Sequence, residues 1–379
     1  MHRFCVRIIV VLALSASGFP AGAQKDPADR ARQASARALE LEARGDQAGA
    51  LSLLWEAAGL APGDADIQNR LGEALERLGA LDAAISAYRQ ALAARPEFRK
   101  ASNNLILVLV KAGRGAEAVE RARMLADAAP GDPERLFTLG LAQSEVNVSD
   151  AIATFRRILE LAPRHVLARY NLALVLKRTD RLDDALEQVE RVLAIEQRPE
   201  ALYTRGIIYW HKGDLDGAAS ALREAVRADP RYVEAYASLG AVLRARRDAD
   251  GAAAALRRAI ELDPVRADVH YTLAQVLRSK GDDEGARKEF AEADRLRTRT
   301  RVAQEATMWT AAGTQQLDAG DAAGAAGLFE RAVTVDDRYA PAYYQLGRAL
   351  LRLGKDDDAR RAFATASALN PSLVAPRSP

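Results

Sequence analysis

The sequence is poor in cysteine, in aromatic residues and in charge of one sign. It has one cysteine, Cys5, and 6% aromatic residues, and its 54 basic residues are nearly balanced by 52 acidic ones over 379 residues. A single cysteine excludes a framework of intrachain disulfides. Balanced charge gives no reason to expect nucleic acid as the main partner. With 49% hydrophobic residues, the chain is neither disordered nor collagen-like.

The N-terminal segment 1–23 has the pattern of a secretory signal peptide. Arg3 and Arg7 form a basic start, residues 8–16 are largely apolar, and small residues at 21–23 predict cleavage before Gln24. The alternative, a transmembrane anchor, needs about 20 apolar residues, and this run is shorter. No other segment is apolar enough to span a membrane. We therefore expect an exported protein of residues 24–379, located in the periplasm of a Gram-negative bacterium or outside the cell.

Cleavage at this point changes the chemistry available to the mature chain. It removes two arginines and Cys5, which leaves equal numbers of basic and acidic residues and no thiol. The mature chain would then have no disulfide, thiolate metal site or catalytic thiol.

The rest of the chain is an internal repeat with a period of about 34 residues, which is the strongest signal in the sequence. Equivalent alanines recur at a spacing of 33 or 34, with one interval of 39. They are Ala50, Ala84, Ala118, Ala151, Ala185, Ala218, Ala252, Ala286, Ala325 and Ala359.

Other positions of the period predict two helices and a stop in each repeat. Twelve positions after most of these alanines stands a proline, which ends a helix because it has no amide hydrogen; Gln197, Thr298 and Asp337 occupy the other three stops. Small residues such as Gly240 before the alanine allow two helices to approach closely. Aspartates in the turns, as in "KGDLDGA", predict caps for the second helix of each repeat.

This pattern resembles the tetratricopeptide repeat family, with ten repeats over residues 31–371. The second repeat carries the resemblance most fully, with Leu71-Gly72, Leu75, Gly79, Ala84, Tyr88, Ala91 and Pro96. The resemblance implies an all-α solenoid, a right-handed superhelix of helix-turn-helix units. The first helix of each repeat, helix A, would line a concave groove, and the second, helix B, would lie outside it.

The predicted organisation has two departures from a regular array. Repeats one to eight cover residues 24–298, an insertion or linker covers 299–305, repeats nine and ten cover 306–371, and 372–379 form a tail. Two interpretations of the basic segment from Arg295 to Arg301 stay open: a lengthened, solvated helix B, or a contact with an anion or lipid headgroup. The tail is too short for a capping helix, so Phe363 and Leu369 are expected to be exposed or to be covered by a partner or a second copy of the chain.

Sequence motifs for catalysis, metal binding or cofactor binding are not found. A G-x-G-x-x-A match from Gly113 follows a helix rather than a strand, so it predicts a turn and not a dinucleotide site. His165, His211 and His270 lie in different repeats without the spacing of metal ligands. We therefore predict a protein that is not an enzyme and takes no cofactor or metal.

The resemblance also implies which residues face the groove. In the family these stand near the second, fifth, sixth, ninth and twelfth positions of helix A, and here they include aromatic, aliphatic and amide side chains suited to an extended peptide. The alternative is that the aromatic residues pack between neighbouring helices. The candidates are Asn104, Leu107, Phe137, Leu141, Tyr170, Asn171, Leu174, Tyr203, Ile207, Trp210 and Tyr271.

This interpretation of the sequence predicts two possible functions. The first is a non-catalytic scaffold or adaptor that binds an extended peptide or protein surface in the groove. The second is a structural accessory subunit of an envelope polysaccharide-export or secretion assembly, docking through the outer face or the C-terminal end. Both predict a protein partner and no nucleic acid.

Overall fold

Alternating helices and tight turns make up the protein. The computed structural model describes residues 26–370 and Leu373, so the predicted signal peptide lies outside the described residues. Within the described part there are nineteen α-helices. They are α1 Pro27–Ala43, α2 Gln47–Leu60, α3 Ala65–Arg77, α4 Leu81–Ala94, α5 Arg99–Lys111, α6 Gly115–Asp127, α7 Pro133–Val146, α8 Val148–Leu161, α9 Val166–Arg178, α10 Leu182–Leu193, α11 Pro199–His211, α12 Leu215–Ala228, α13 Val233–Ala245, α14 Ala249–Leu262, α15 Ala267–Ser279, α16 Asp283–Asp318, α17 Ala322–Val335, α18 Ala340–Arg352 and α19 Asp356–Leu369.

Consecutive helices pair in antiparallel fashion, and within each of two compact units neighbouring helices pack on one another. In residues 26–118, which form one compact unit, α1 packs on α2, α3 on α4, and α4 on α5. In the second unit, which begins at Val119, the same pattern runs from α7 to α19. The predicted all-α repeat fold is confirmed.

Most turns between helices A and B contain a left-handed residue, and in five of them an aspartate follows it. Gly213 has φ 79° and ends α11, and Asp214 then accepts a 2.8 Å hydrogen bond from the amide of Gly217 in the first turn of α12. Such a cap satisfies one of the amides that a helix leaves free at its start. The predicted aspartate caps are confirmed at Asp46, Asp214, Asp282 and Asp321.

Repeat four makes its turn differently because it is shorter by a single position. Asn147 both ends α7 and caps α8, and it accepts hydrogen bonds from the amides of Ser149 and Asp150 at 3.2 and 3.3 Å. Its φ of −144° is extended, so this turn needs no left-handed residue. The turn between α7 and α8 is therefore one residue shorter, and α7 and α8 still pack against each other.

A polar side chain on helix A bonds the carbonyl of a preceding turn in three repeats. Gln68, Arg169 and His270 are all buried, and each contacts the carbonyl oxygen of the proline six positions earlier. The distances from the side-chain nitrogen to that oxygen are 3.2, 2.5 and 3.1 Å. These contacts anchor the turn between repeats to the next helix A, and they explain why the three polar side chains are buried.

The one longer interval of the repeat is accommodated by a single long helix. The 36-residue helix α16 runs from Asp283 to Asp318 and packs against both α15 and α17. The prediction of a helix stop at Thr298 is wrong, because this stretch has no proline or glycine to interrupt the helix. Residues 299–305, predicted as an insertion or linker, are helical and form about two turns of α16.

The last repeat buries more of its apolar surface than expected. Phe363 is 4% exposed because its ring packs over Gly347 and stacks edge-on with Tyr344, 5.4 Å between ring centroids. The prediction that Phe363 is exposed is therefore wrong. Leu369, at the end of α19, is 39% exposed.

Candidate functional site

The predicted groove residues all lie on helices A, and none of them is fully buried. Leu107 and Tyr271 are 36% and 37% exposed, and the other nine are half-buried or partly exposed. They occupy five helices in two units. These are Asn104 and Leu107 on α5, Phe137 and Leu141 on α7, Tyr170, Asn171 and Leu174 on α9, Tyr203, Ile207 and Trp210 on α11, and Tyr271 on α15.

In the first unit, Asn104 belongs to a polar network between α3 and α5. Its amide donates to Asn69 and to Glu73, each at 3.1 Å, and Lys100 forms a 2.8 Å ion pair with the same Glu73 oxygen. Burial acts to raise the pKa of Glu73, but the hydrogen bonds from Lys100, Asn69 and Asn104 outweigh it and lower that pKa. The network fixes the carboxylate and occupies the amide of Asn104.

Tyr170 links two neighbouring helices A of the second unit. Its hydroxyl lies 3.1 Å from the Thr204 hydroxyl and donates to the carbonyl of Glu200 at 3.3 Å. Burial raises the pKa of Tyr170, and the hydrogen bond with Thr204 only partly opposes that effect. The side chain therefore joins α9 to α11.

Tyr203 makes the equivalent contact one repeat later through its ring. The centroids of Tyr203 and Tyr232 are 5.2 Å apart, and Tyr232 stands immediately before α13. Burial raises the pKa of the Tyr232 phenol well above its ordinary value. A favourable tilted pair of this kind stabilises the stacking of repeats six and seven.

The remaining aromatic candidates also contact neighbouring elements. Phe137 lies 6.1 Å from Phe155 and 5.3 Å from His165, measured between centroids. Tyr271 packs edge-on against Phe290, and the guanidinium carbon of Arg297 lies 4.6 Å from its ring centroid. Each ring thus contacts neighbouring elements and keeps part of its surface exposed.

A hollow of about 200 Å³ interrupts this aromatic surface at repeat seven. The fifth, sixth and ninth positions of α13 are Ala237, Ser238 and Ala241, which line the hollow, and Tyr203 and Trp210 of α11 also line it. Small side chains on the central helix and large ones on its neighbour leave room for a guest side chain.

The rim of the hollow is charged. Arg266 forms a 2.7 Å ion pair with Asp268 and lies 3.9 Å from Glu234, and all three residues line the hollow. The hydrogen bond with Asp268 raises the pKa of Arg266, and the same bond lowers that of Asp268. These groups provide hydrogen-bonding partners for the backbone of a bound chain beside an apolar cavity.

A second, larger cavity of about 630 Å³ lies on the helices A of repeats four to six. It contains the predicted Asn171 and Leu174, together with Ser144, Lys177 and His211, which sequence reasoning had not selected. The signal was present, because Ser144 and Lys177 occupy the twelfth position that also holds Trp210. Neither they nor the alanines of repeat seven are large aromatic residues, which is the residue type that the sequence pattern favoured.

No group of three or more histidine, cysteine, aspartate or glutamate side chains within 26–370 is arranged to hold a metal ion. Among the same residues, no helix combines the length and apolar character required to cross a bilayer.

The sequence matches the tetratricopeptide repeat family along most of its length. Matches cover residues 35–97, 81–133, 144–208, 199–232, 243–304 and 316–375. The chain belongs to this family, whose members are generally non-catalytic proteins that bind other proteins. No curated protein matches the chain.

Solved structures of other proteins resemble this chain at low sequence identity. A tetratricopeptide repeat protein from Parabacteroides merdae is 18% identical, with a TM-score of 0.53 over 66% of this chain and 99% of that one. TTC0263 from Thermus thermophilus is 22% identical, with a TM-score of 0.43 over 47% and 98%. MamA from Desulfovibrio magneticus is 25% identical, with a TM-score of 0.39 over 45% and 96%.

Proposed function

We propose that this protein is a non-catalytic interaction scaffold that binds an extended segment of a partner protein along the helix A face of its second unit. The observation that carries the proposal is the hollow at repeat seven, with Ala237, Ser238 and Ala241 as its small-residue lining and Trp210 beside them. A packed repeat does not require small residues at all three positions, since most other repeats place a larger aromatic, amide or aliphatic residue at one or more of them.

The chemistry of the hollow suits one bulky apolar side chain. Burying an aliphatic or aromatic side chain against Trp210 and the alanines contributes roughly 1.5–3 kcal/mol. Trp210 adds a rigid surface that loses little entropy on binding. Arg266 and Asp268 at the rim then meet the backbone of the segment on either side of that anchor.

The predicted signal peptide supports a placement outside the cytoplasm. We infer that residues 1–23 direct export and that the scaffold works in the periplasm or beyond it. A partner in the same compartment follows from this placement.

Peptide selection with a matched pair of variants tests the proposal. A library of random peptides displayed on phage is selected on the purified chain, on Ala241→Arg and on Ala254→Arg. Ala241 lines the hollow, whereas Ala254 is exposed on helix α14 of the same repeat. We expect the chain and Ala254→Arg to enrich the same peptides and Ala241→Arg to lose those that carry a bulky apolar anchor. Enrichment of the same peptides by all three would contradict the proposal.

A second candidate is a structural accessory subunit of an envelope polysaccharide-export or secretion assembly. It is favoured by the exposed Leu369 at the end of α19, which is the last helix described. Under this alternative, Ala241→Arg has no effect, and Leu369→Glu weakens incorporation into the assembly.

A further inference from the structure

The cavity at repeats four to six holds a lysine that has no partner among the described residues. Lys177, at the twelfth position of α9, lines the cavity with Ser144, Asn171, Leu174 and His211. Within the described part of the chain, its ammonium makes no hydrogen bond or ion pair. Burial alone lowers the pKa of Lys177, and no neighbouring carboxylate acts against that effect.

Other lysines at the ends of helices A are paired. Lys111 bonds Glu76, Lys212 bonds Asp183, and Lys280 bonds Asp250. Lys177 stands one or two positions earlier in its repeat than these three lysines do. Its side chain therefore leaves the helix in a different direction. Within residues 26–370, the carboxylates that pair with the other three lysines have no equivalent beside Lys177.

The other ionisable groups around this cavity are either paired or exposed. Arg178 lies 3.3 Å from the carboxylate of Glu145 and also donates to the carbonyl of Ser144. Asp180 is exposed in the turn after α9, and His211 is exposed at the end of α11. None of these groups therefore neutralises the half-buried ammonium.

Asn171 supplies a second polar group beside the lysine. Its amide nitrogen donates to the carbonyl of Leu167 at 2.9 Å, which fixes the orientation of the side chain. Asn171 and Lys177 line the same cavity. The site thus combines a cation with an oriented amide.

A half-buried cation without a partner costs free energy in the unliganded protein. An anionic group that enters the cavity recovers this cost because it forms a charge-assisted hydrogen bond in a partly desolvated place. The cavity is large enough for a carboxylate side chain with part of its backbone. Charge complementarity therefore specifies the kind of residue that binds here.

We propose that the Lys177 cavity binds an aspartate or glutamate side chain of the extended segment whose apolar anchor enters the hollow at repeat seven. The inference rests on the proposed function and adds an acidic residue to the ligand. The helices α9, α11 and α13 are successive neighbours. Neighbouring helix axes lie about 10 Å apart, so the two steps from α9 to α11 and from α11 to α13 span about 20 Å. An extended chain covers that distance with about six residues at about 3.3 Å each. The ligand is thus a segment with an acidic residue about six positions from a bulky apolar one.

The same phage library tests this inference with substitutions at one position. We expect the unmodified chain to enrich peptides with Asp or Glu about six positions from a large apolar residue. Lys177→Met should keep the apolar preference and lose the acidic one, and a selected peptide should bind it about tenfold more weakly. Lys177→Glu should enrich Lys or Arg at the same place. Lys280→Met, which removes a paired lysine at the end of α15, should behave as the unmodified chain.

Three results separate this inference from the scaffold proposal. An unchanged acidic preference in Lys177→Met would overturn the Lys177 site and leave the hollow as the anchor. The Lys177 site would also be overturned if the unmodified chain enriched peptides with a large apolar residue but showed no preference for an acidic one. Failure of every protein to enrich any peptide would contradict both. Thermal unfolding followed by circular dichroism should give Lys177→Met a midpoint no lower than that of the unmodified chain.

Discussion

A methyl group on Gly313 would lie 2.6 Å from Cε1 of Phe329. The Phe329 ring is fully buried and occupies the space that a side chain would need on α16. The same relationship recurs between Gly72 and Tyr88 in repeat two, at 2.5 Å. The repeat thus replaces a side chain on helix A by the ring of a residue on helix B, which brings the two backbones close together.

Gly313→Ala should destabilise repeat nine by about 1–3 kcal/mol, because the ring cannot move without disturbing the packing around it. Gly327→Ala is the matched control in the same repeat. Its added methyl meets nothing within 4 Å, so we expect a gain of up to about 1 kcal/mol from helix propensity. Urea titrations followed by circular dichroism measure both changes. Equal midpoints for the two variants would show that close packing does not depend on Gly313.

Arg247 is a left-handed residue at a position where most other repeats place glycine. It has φ 63° in the turn after α13, and Gly213 at the equivalent place in repeat six has φ 79°. Arg247→Gly should stabilise the protein by about 1 kcal/mol because it relieves the strain of a side chain at positive φ. Gly213→Ala should cost about 1–2 kcal/mol for the reverse reason. A lower unfolding midpoint for Arg247→Gly would mean that contacts of the arginine side chain outweigh the backbone strain.

Both ring nitrogens of His270 lie within hydrogen-bonding distance of an oxygen atom. Its Nε2 atom lies 3.1 Å from the Pro264 carbonyl and its Nδ1 atom 2.6 Å from the Glu289 carboxylate. His270→Leu leaves both acceptors without this partner, and we expect a loss of about 1–3 kcal/mol. His270→Gln should lose less, since a glutamine amide makes the equivalent proline contact at Gln68. Differential scanning calorimetry measures which variant loses more stability. Similar losses in both would argue that the contact with the Pro264 carbonyl contributes little.

Glu73 should make the first unit sensitive to acid. Its folded-state pKa is lowered, so the stabilisation from its hydrogen bonds is complete above the unfolded value of about 4.3. That stabilisation is lost as the pH falls from there through the lower folded-state value. Glu73→Gln should reduce stability at pH 7 and flatten its decline between about pH 5 and pH 3. If stability fell with pH in the same way in both proteins, Glu73 would not be the cause of the acid sensitivity.

The helical repeats and their turns could be predicted from residues close together in the sequence. The repeat period, the prolines and the turn aspartates act within one helix or one turn, so their effect does not depend on distant contacts. Thr298 shows the limit of this reasoning. Its place in the period alone suggested a stop, but helix propensity continues through it when no glycine or proline intervenes.

Which aromatic side chains contact a neighbouring helix could be seen only in the tertiary structure. From the sequence, Tyr170 and Tyr203 were equally suited to a ligand and to a neighbouring helix. Only the stacked repeats show that Tyr170 bonds Thr204 and that Tyr203 packs on Tyr232.

The sequence by itself determined the fold class, because a repeated local pattern specifies each helix pair and repetition stacks the pairs. Tertiary structure decided which positions stay open. The hollow at Ala241 and the unpaired Lys177 arise from the side chains of neighbouring repeats, which are a full repeat apart in sequence and adjacent in space. Cavities and unpaired charges are properties of that juxtaposition, and no single repeat contains them.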